Sequence, residues 1–272
     1  MERVVAFHVA DQGRTRPRRR SSGFRRPRGP NSGGSYPRLV LLDPDTENDV
    51  ASELCQLLGR AILPIRRTDA GVGDGDQGEG TAFLFTGQGR EYLLTADSLT
   101  VAGAGEIGLR ASVTEPAGVA ADAVALPDFA AGWRHHEDLG VAVMPTVGLH
   151  EHADGEGWRW RTQQVPDGIA ADRDSITRMG TEPGSAVVLA HGVGVGGSRP
   201  LEVAIERVAR VDDAVRLMAE LPAGYVGAPV FGVRAGGDGE VGLRCLGLVL
   251  PARDGGHPLA TFDRIREAVV GS

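Results

Sequence analysis

Histidines, carboxylates and glycine-rich turns are the places where this 272-residue chain could do chemistry, and several groupings of them stand out. His150-Glu151-His152-Ala153-Asp154 offers two imidazoles at i and i+2, which on a strand would point to one side and begin a metal site. No third ligand is fixed by spacing, so the stretch reads as a polar loop and no metal is expected. Asp74, Asp76 and Glu79 alternate with glycine in residues 71 to 80, as calcium ligands do. Their spacing does not match a helix-loop-helix calcium site and no helices flank them, so the expectation is an acidic turn. Gly192 to Gly197 has the glycine content of a phosphate-binding loop, yet Ser198-Arg199-Pro200 leads into a strand where a helix N-terminus would be needed. Cys55 and Cys245 lie far apart, with no spacing of a zinc knuckle or disulfide framework. No cofactor is expected from any of these.

A further set is dispersed along the chain. Gly80-Thr81-Ala82-Phe83-Leu84-Phe85 is followed by Tyr92-Leu93-Leu94-Thr95-Ala96-Asp97-Ser98, then by Glu137-Asp138-Leu139-Gly140-Val141-Ala142-Val143, and last by Gly224-Tyr225-Val226-Gly227-Ala228-Pro229-Val230-Phe231. Alone, the last stretch is a glycine-rich turn running into a strand, since glycine frees the backbone and Val-Phe-Gly-Val prefers a pleat. In this order, however, the segments resemble the landmarks of the trypsin-like (chymotrypsin-fold) serine peptidases, roughly G-x-G-F, L-T-A-x-H, D-[IL]-A-V and G-x-S-G-x-P. The resemblance covers about residues 60 to 270, with 40 residues from position 98 to 138 and 88 from 138 to 226.

What the resemblance implies about chemistry is unusual. Asp138 stands at the triad aspartate, but Ser98 replaces the histidine and Val226 replaces the nucleophilic serine. Acyl transfer needs a hydroxyl to attack, an imidazole to move its proton and a carboxylate to orient the imidazole. Valine has no attacking atom and serine is no base near neutral pH, so the expectation is a catalytically inactive pseudopeptidase. Its main-chain features are expected to persist: oxyanion donors at the N–H groups of Gly224 and Val226, and a strand through Gly247, Leu248 and Val249 that pairs with an extended peptide or protein partner in the cleft between two barrels. One alternative is an active serine-type endopeptidase with a rearranged site drawn from Ser98, Cys245, His135, His136 and His191. Another is binding of nucleic acid or an anionic surface through an arginine-rich tail.

The elements that must position these groups follow from pattern and composition. All 29 basic residues are arginine; ten fall in residues 1 to 38 beside two acidic residues, which leaves the remainder at a charge of −15. Residues 1–38, with little apolar content, read as a disordered tail able to make weak, salt-sensitive phosphate contacts. Val50, Leu54, Leu57, Leu58 and Ala61 recur at helical spacing behind Asp43-Pro44, which predicts an amphipathic helix over residues 39–60. Residues 61–272 form the expected double-barrel domain. Forty glycines with few aromatics suit many short strands and tight turns. Ala61–Ile65, Thr81–Phe85, Glu91–Thr95, Leu139–Met144, Leu201–Val208, Val211–Met218 and Val241–Leu250 read as strands, short strands are expected between Ala111 and Trp133, and Phe262–Val269 reads as a closing helix. The predicted class is all-β: two six-stranded antiparallel β-barrels of trypsin-like type with a helix at each end. No bilayer-length apolar run or signal-like N-terminus is present, so a cytoplasmic protein without membrane contact is expected.

Overall fold

The computed structural model describes residues 6–7, 44–68, 78–119, 122–126, 128–179, 186–193, 201–211, 214–235 and 241–270. Asp74 and Asp76, Gly194 to Gly197 and most of the arginine-rich segment lie outside these residues. The elements run β1 (Ala6–Phe7), α1 (Pro44–Leu58), β2 (Ile62–Arg67), β3 (Glu79–Gly87), β4 (Arg90–Ala96), β5 (Gly105–Gly108), β6 (Thr114–Glu115), β7 (Ala123–Leu126), β8 (Arg134–His136) and β9 (Val141–Pro145). They continue with α2 (Val147–Gly155), β10 (Arg159–Trp160), β11 (Val165–Pro166), α3 (Arg173–Thr177), β12 (Ala186–Val193), β13 (Leu201–Val211), β14 (Ala214–Leu217), β15 (Pro229–Ala235), β16 (Val241–Val249), β17 (His257–Thr261) and α4 (Phe262–Val270).

Two antiparallel sheets dominate. The first has the order β7-β5-β2-β3-β4-β9-β8, with β11 added in parallel to β3, and its two end strands are not paired to each other. The second runs β15-β12-β13-β14-β17-β16 and returns to β15, a ring of six strands with β1 added to β16. The expectation of six strands in each barrel is therefore corrected. The first sheet has eight strands and stays open among the described residues, because β7 and β8 are each followed or preceded by the 128–133 connection instead of by one another. Helices are also more numerous than the terminal pair expected, since α2 and α3 lie inside the chain. No helix among the described residues is long and apolar enough to cross a membrane.

The β3–β4 hairpin turns through Gln88 and Gly89, both in the left-handed region (φ 51° and 75°), so Gly87 pairs with Arg90 and every later residue falls into register. β3 is buried along nearly its whole length because it is covered on both faces. The aromatic ring of Phe262, at the start of α4, packs 4.9 Å from Phe85 and 6.3 Å from Phe83. The last helix thus completes the core of the first sheet, together with Ile265 and Val269. A second core, inside the ring, gathers Val208, Val215, Leu217, Val230, Leu246, Val249 and Leu259. Helix α1 buries Val50 and Leu54 and packs against β13, whose Leu201, Val203 and Ile205 face the same core cluster.

The stretch from His150 to Asp154, expected as a polar loop, belongs to α2. Leu149 and Ala153, four residues apart, are buried and hold that helix down. On a helix, positions i and i+2 diverge, so His150 and His152 do not share a side. His150 instead bonds Glu91 (Nε2 to Oε1, 2.8 Å), and Glu91 also accepts from Thr146 Oγ1 and Gln164 Nε2.

Candidate functional site

Three short turns meet where the sheets touch. The first, Asp97–Leu99, follows β4 as a single 3₁₀ turn and carries Ser98. The second links β8 to β9 and carries Glu137 and Asp138; its N–H groups at Leu139 and Gly140 donate to the carbonyls of His136 and Glu137. The third, Ala223–Tyr225, is another 3₁₀ turn and leads into Val226. Main-chain bonds tie them together. Asp97 N–H donates to Gly140 O (2.8 Å), Thr81 N–H donates to Val226 O (2.8 Å), and Gly227 N–H donates to Val249 O (2.8 Å). Two fully buried threonines complete the junction: Thr81 Oγ1 donates to Gly224 O (2.6 Å) and Thr95 Oγ1 donates to Thr81 O (2.7 Å). A Cβ placed on Gly80 would sit 2.3 Å from Leu99 Cδ1 and 2.8 Å from Val226 O, which shows how closely the segments carrying Ser98 and Val226 approach. On the other side, Gly140 (φ 68°) lies against Leu250 at the end of β16.

Val226 is half-buried, and its N–H donates to Ala223 O (2.9 Å) inside its own turn. Of the two N–H groups expected as oxyanion donors, that of Val226 is satisfied inside its own 3₁₀ turn, and Gly224 is buried with its carbonyl accepting from Thr81 Oγ1. Ser98 and Asp138 are both exposed, and neither has a hydrogen bond or ion pair among the described residues. The strand expected to pair with a peptide already has a neighbour on each edge. Gly247, Leu248 and Val249 are all buried, with β15 on one edge and β17 on the other, so their backbone has no open side for an added strand.

Cys245 is fully buried, and burial pushes its thiol far above the neutral range, leaving it protonated and inert. Tyr225, buried beside Val226, is pushed up to about 12, by burial first and then by the charges of Glu202, Cys55 and Glu206. His191 lies in β12. His135 Nδ1 donates to Asp97 Oδ1 (2.5 Å) and its Nε2 faces the Ala130 carbonyl (3.2 Å). Both partners are acceptors, which favours the doubly protonated ring over either neutral tautomer. Burial opposes that charge, but the bonds to Asp97 and Ala130 and the charges of Asp97 and Glu137 outweigh it and raise the pKa.

Asp97 escaped the sequence reading, because its link to His135 crosses three strands. Thr95 pairs with Ala142 and Ala142 with His135, so the side chain that emerges just past β4 reaches the ring on β8. His136, next along β8, has Nε2 shielded from solvent without a partner among the described residues, a state that costs about 1–3 kcal/mol for a polar atom. His135, His136, Glu137, Asp138 and Leu139 form one wall of an open groove of about 610 Å³, and Arg264, Glu267 and Ala268 of α4 form the other. Among the described residues, no three His, Cys, Asp or Glu side chains come together as metal ligands.

No family model matches the chain, and no curated protein matches it in sequence. Among solved structures it is similar to the crystal structure of the serine endoprotease from Yersinia pestis, at 10% identity and a TM-score of 0.48 over 81% of this chain. The match spans 65% of the length of that structure.

Proposed function

We propose that this chain is a trypsin-like scaffold that has lost peptide-bond hydrolysis and acts by binding an extended peptide or protein partner. The kinship rests on the three landmark segments, in order, and on their meeting at one junction between two antiparallel sheets. The observation that carries the loss of hydrolysis is Val226: a hydrocarbon side chain occupies the nucleophile position, and the N–H of the same residue bonds back to Ala223 O. Loss of a nucleophile or a base alone costs on the order of 10⁶-fold in turnover, and here both positions are changed. A rearranged endopeptidase fares worse, because His135 has acceptors on both nitrogens and Cys245 is sealed in the core.

The test is labelling of the purified full chain with a serine-directed fluorophosphonate, together with turnover of casein. The expected result is no label and no turnover above a buffer blank. Turnover that disappears in a Ser98→Ala variant would overturn the reading.

A further inference from the structure

We infer that the partner site is the groove between β8 and α4, and that it takes an extended peptide carrying basic side chains, added as a strand to the free edge of β8. This rests on the binding half of the proposed function. The stretch that the family resemblance nominates, Gly247–Val249, is paired on both edges and cannot accept another strand. β8 differs: it is the end strand of the first sheet, paired with β9 alone among the described residues, so the outer edge of Arg134–His136 has no neighbouring strand. The groove of about 610 Å³ opens along this wall, a volume inside the roughly 300–1,000 Å³ range of binding clefts.

Charge and hydrogen bonding choose the occupant. Glu137, Asp138 and Glu267 contribute three carboxylates to the lining, against the guanidinium of Arg264 and the His135 imidazolium, whose charge is already paired with Asp97. Asp138 has no internal partner among the described residues, so it is available to a cation from outside. Strand addition supplies sequence-independent main-chain bonds, while the carboxylates select arginine or lysine at alternate positions, because alternate side chains of an extended peptide face the same way.

The experiment uses the full chain and fluorescein-labelled hexapeptides of alternating arginine and valine, either unmodified or N-methylated at every backbone nitrogen, read by fluorescence anisotropy. The unmodified peptide is expected to bind. The N-methylated peptide has equal charge but lacks main-chain N–H donors, and is expected to bind at least tenfold more weakly. The triple variant Glu137→Gln, Asp138→Asn, Glu267→Gln alters partly or wholly exposed side chains and is expected to keep its urea midpoint while weakening the unmodified peptide tenfold or more. Hydrogen exchange at Arg134–His136 should slow on binding. No binding, equal binding of the two peptides, or unchanged affinity in the triple variant would each overturn the assignment. The labelling and casein assays are independent of these readouts, so failure of the groove and failure of the pseudopeptidase reading are told apart.

Discussion

Replacing Gly227 by alanine tests whether the junction of the two sheets is as tight as its contacts imply. Gly227 has φ 84°, and a Cβ there would fall 2.1 Å from Thr81 O and 2.5 Å from Thr95 Oγ1. Two costs follow. Holding alanine in the left-handed region costs about 1 kcal/mol. The added methyl also wedges into the bond from Thr95 Oγ1 to Thr81 O, both ends of which are buried, and disturbing it costs about 1–3 kcal/mol. The total is about 2–4 kcal/mol, a large share of the ~5–15 kcal/mol typical of a folded domain. Gly89→Ala is the matched control, since Gly89 has φ 75° but nothing within 4 Å of its Cβ position, so only the backbone cost of about 1 kcal/mol applies. Urea unfolding followed by circular dichroism gives both values. If Gly227→Ala destabilises no more than Gly89→Ala, the close approach of the 81, 95 and 227 segments is wrong, and with it the convergence of the landmark turns.

Further outcomes are expected. The double variant Ser98→His, Val226→Ser should remain inactive on casein, because the 226 N–H is held by Ala223 O inside its turn; measurable turnover would show that the turn reopens and refute the closed geometry. NMR titration should place the His135 pKa above that of a free histidine. Since the folded pKa is the raised one, the stabilisation from the Asp97–His135 pair should be complete below the unfolded value of about 6.5 and be lost as pH rises through the folded value. Asp97→Asn should weaken that pH dependence of the urea midpoint, leaving only what Ala130 and Glu137 contribute, and an unchanged dependence would assign it elsewhere. Phe262→Ala removes a fully buried ring packed on Phe83 and Phe85 and should cost about 3–5 kcal/mol by the same assay; a loss below 1 kcal/mol would mean that α4 does not complete the first core.

Local pattern made some of this legible. The alternation and glycine turn of residues 81–95 mark the β3–β4 hairpin, and Val50 and Leu54 on α1 fall at helical spacing. The order of the landmark segments pointed to one junction, because each is a turn flanked by strand sequence. What pattern could not carry was pairing at a distance. Leu246, Gly247 and Leu248 announce a buried strand, but nothing in their types says that both edges are occupied. α2 was hidden because only Leu149 and Ala153 of nine residues are buried, too few for a periodic signal. The Asp97–His135 pair depends on register across β4, β9 and β8, and the internal bond of the Val226 N–H depends on a single turn of 3₁₀ backbone.

The position of Phe262 bears on how the molecule is made. Its ring lies among residues contributed by β3, some 180 positions earlier in the chain, so the first sheet emerges from the ribosome long before the group that fills its interior. During synthesis that sheet must wait with Phe83 and Phe85 incompletely covered, exposed to the association hazards of slow, long-range assembly. Removing residues from Phe262 onward would prolong that waiting state indefinitely, and the damage would be read at the opposite end of the sequence from the cut.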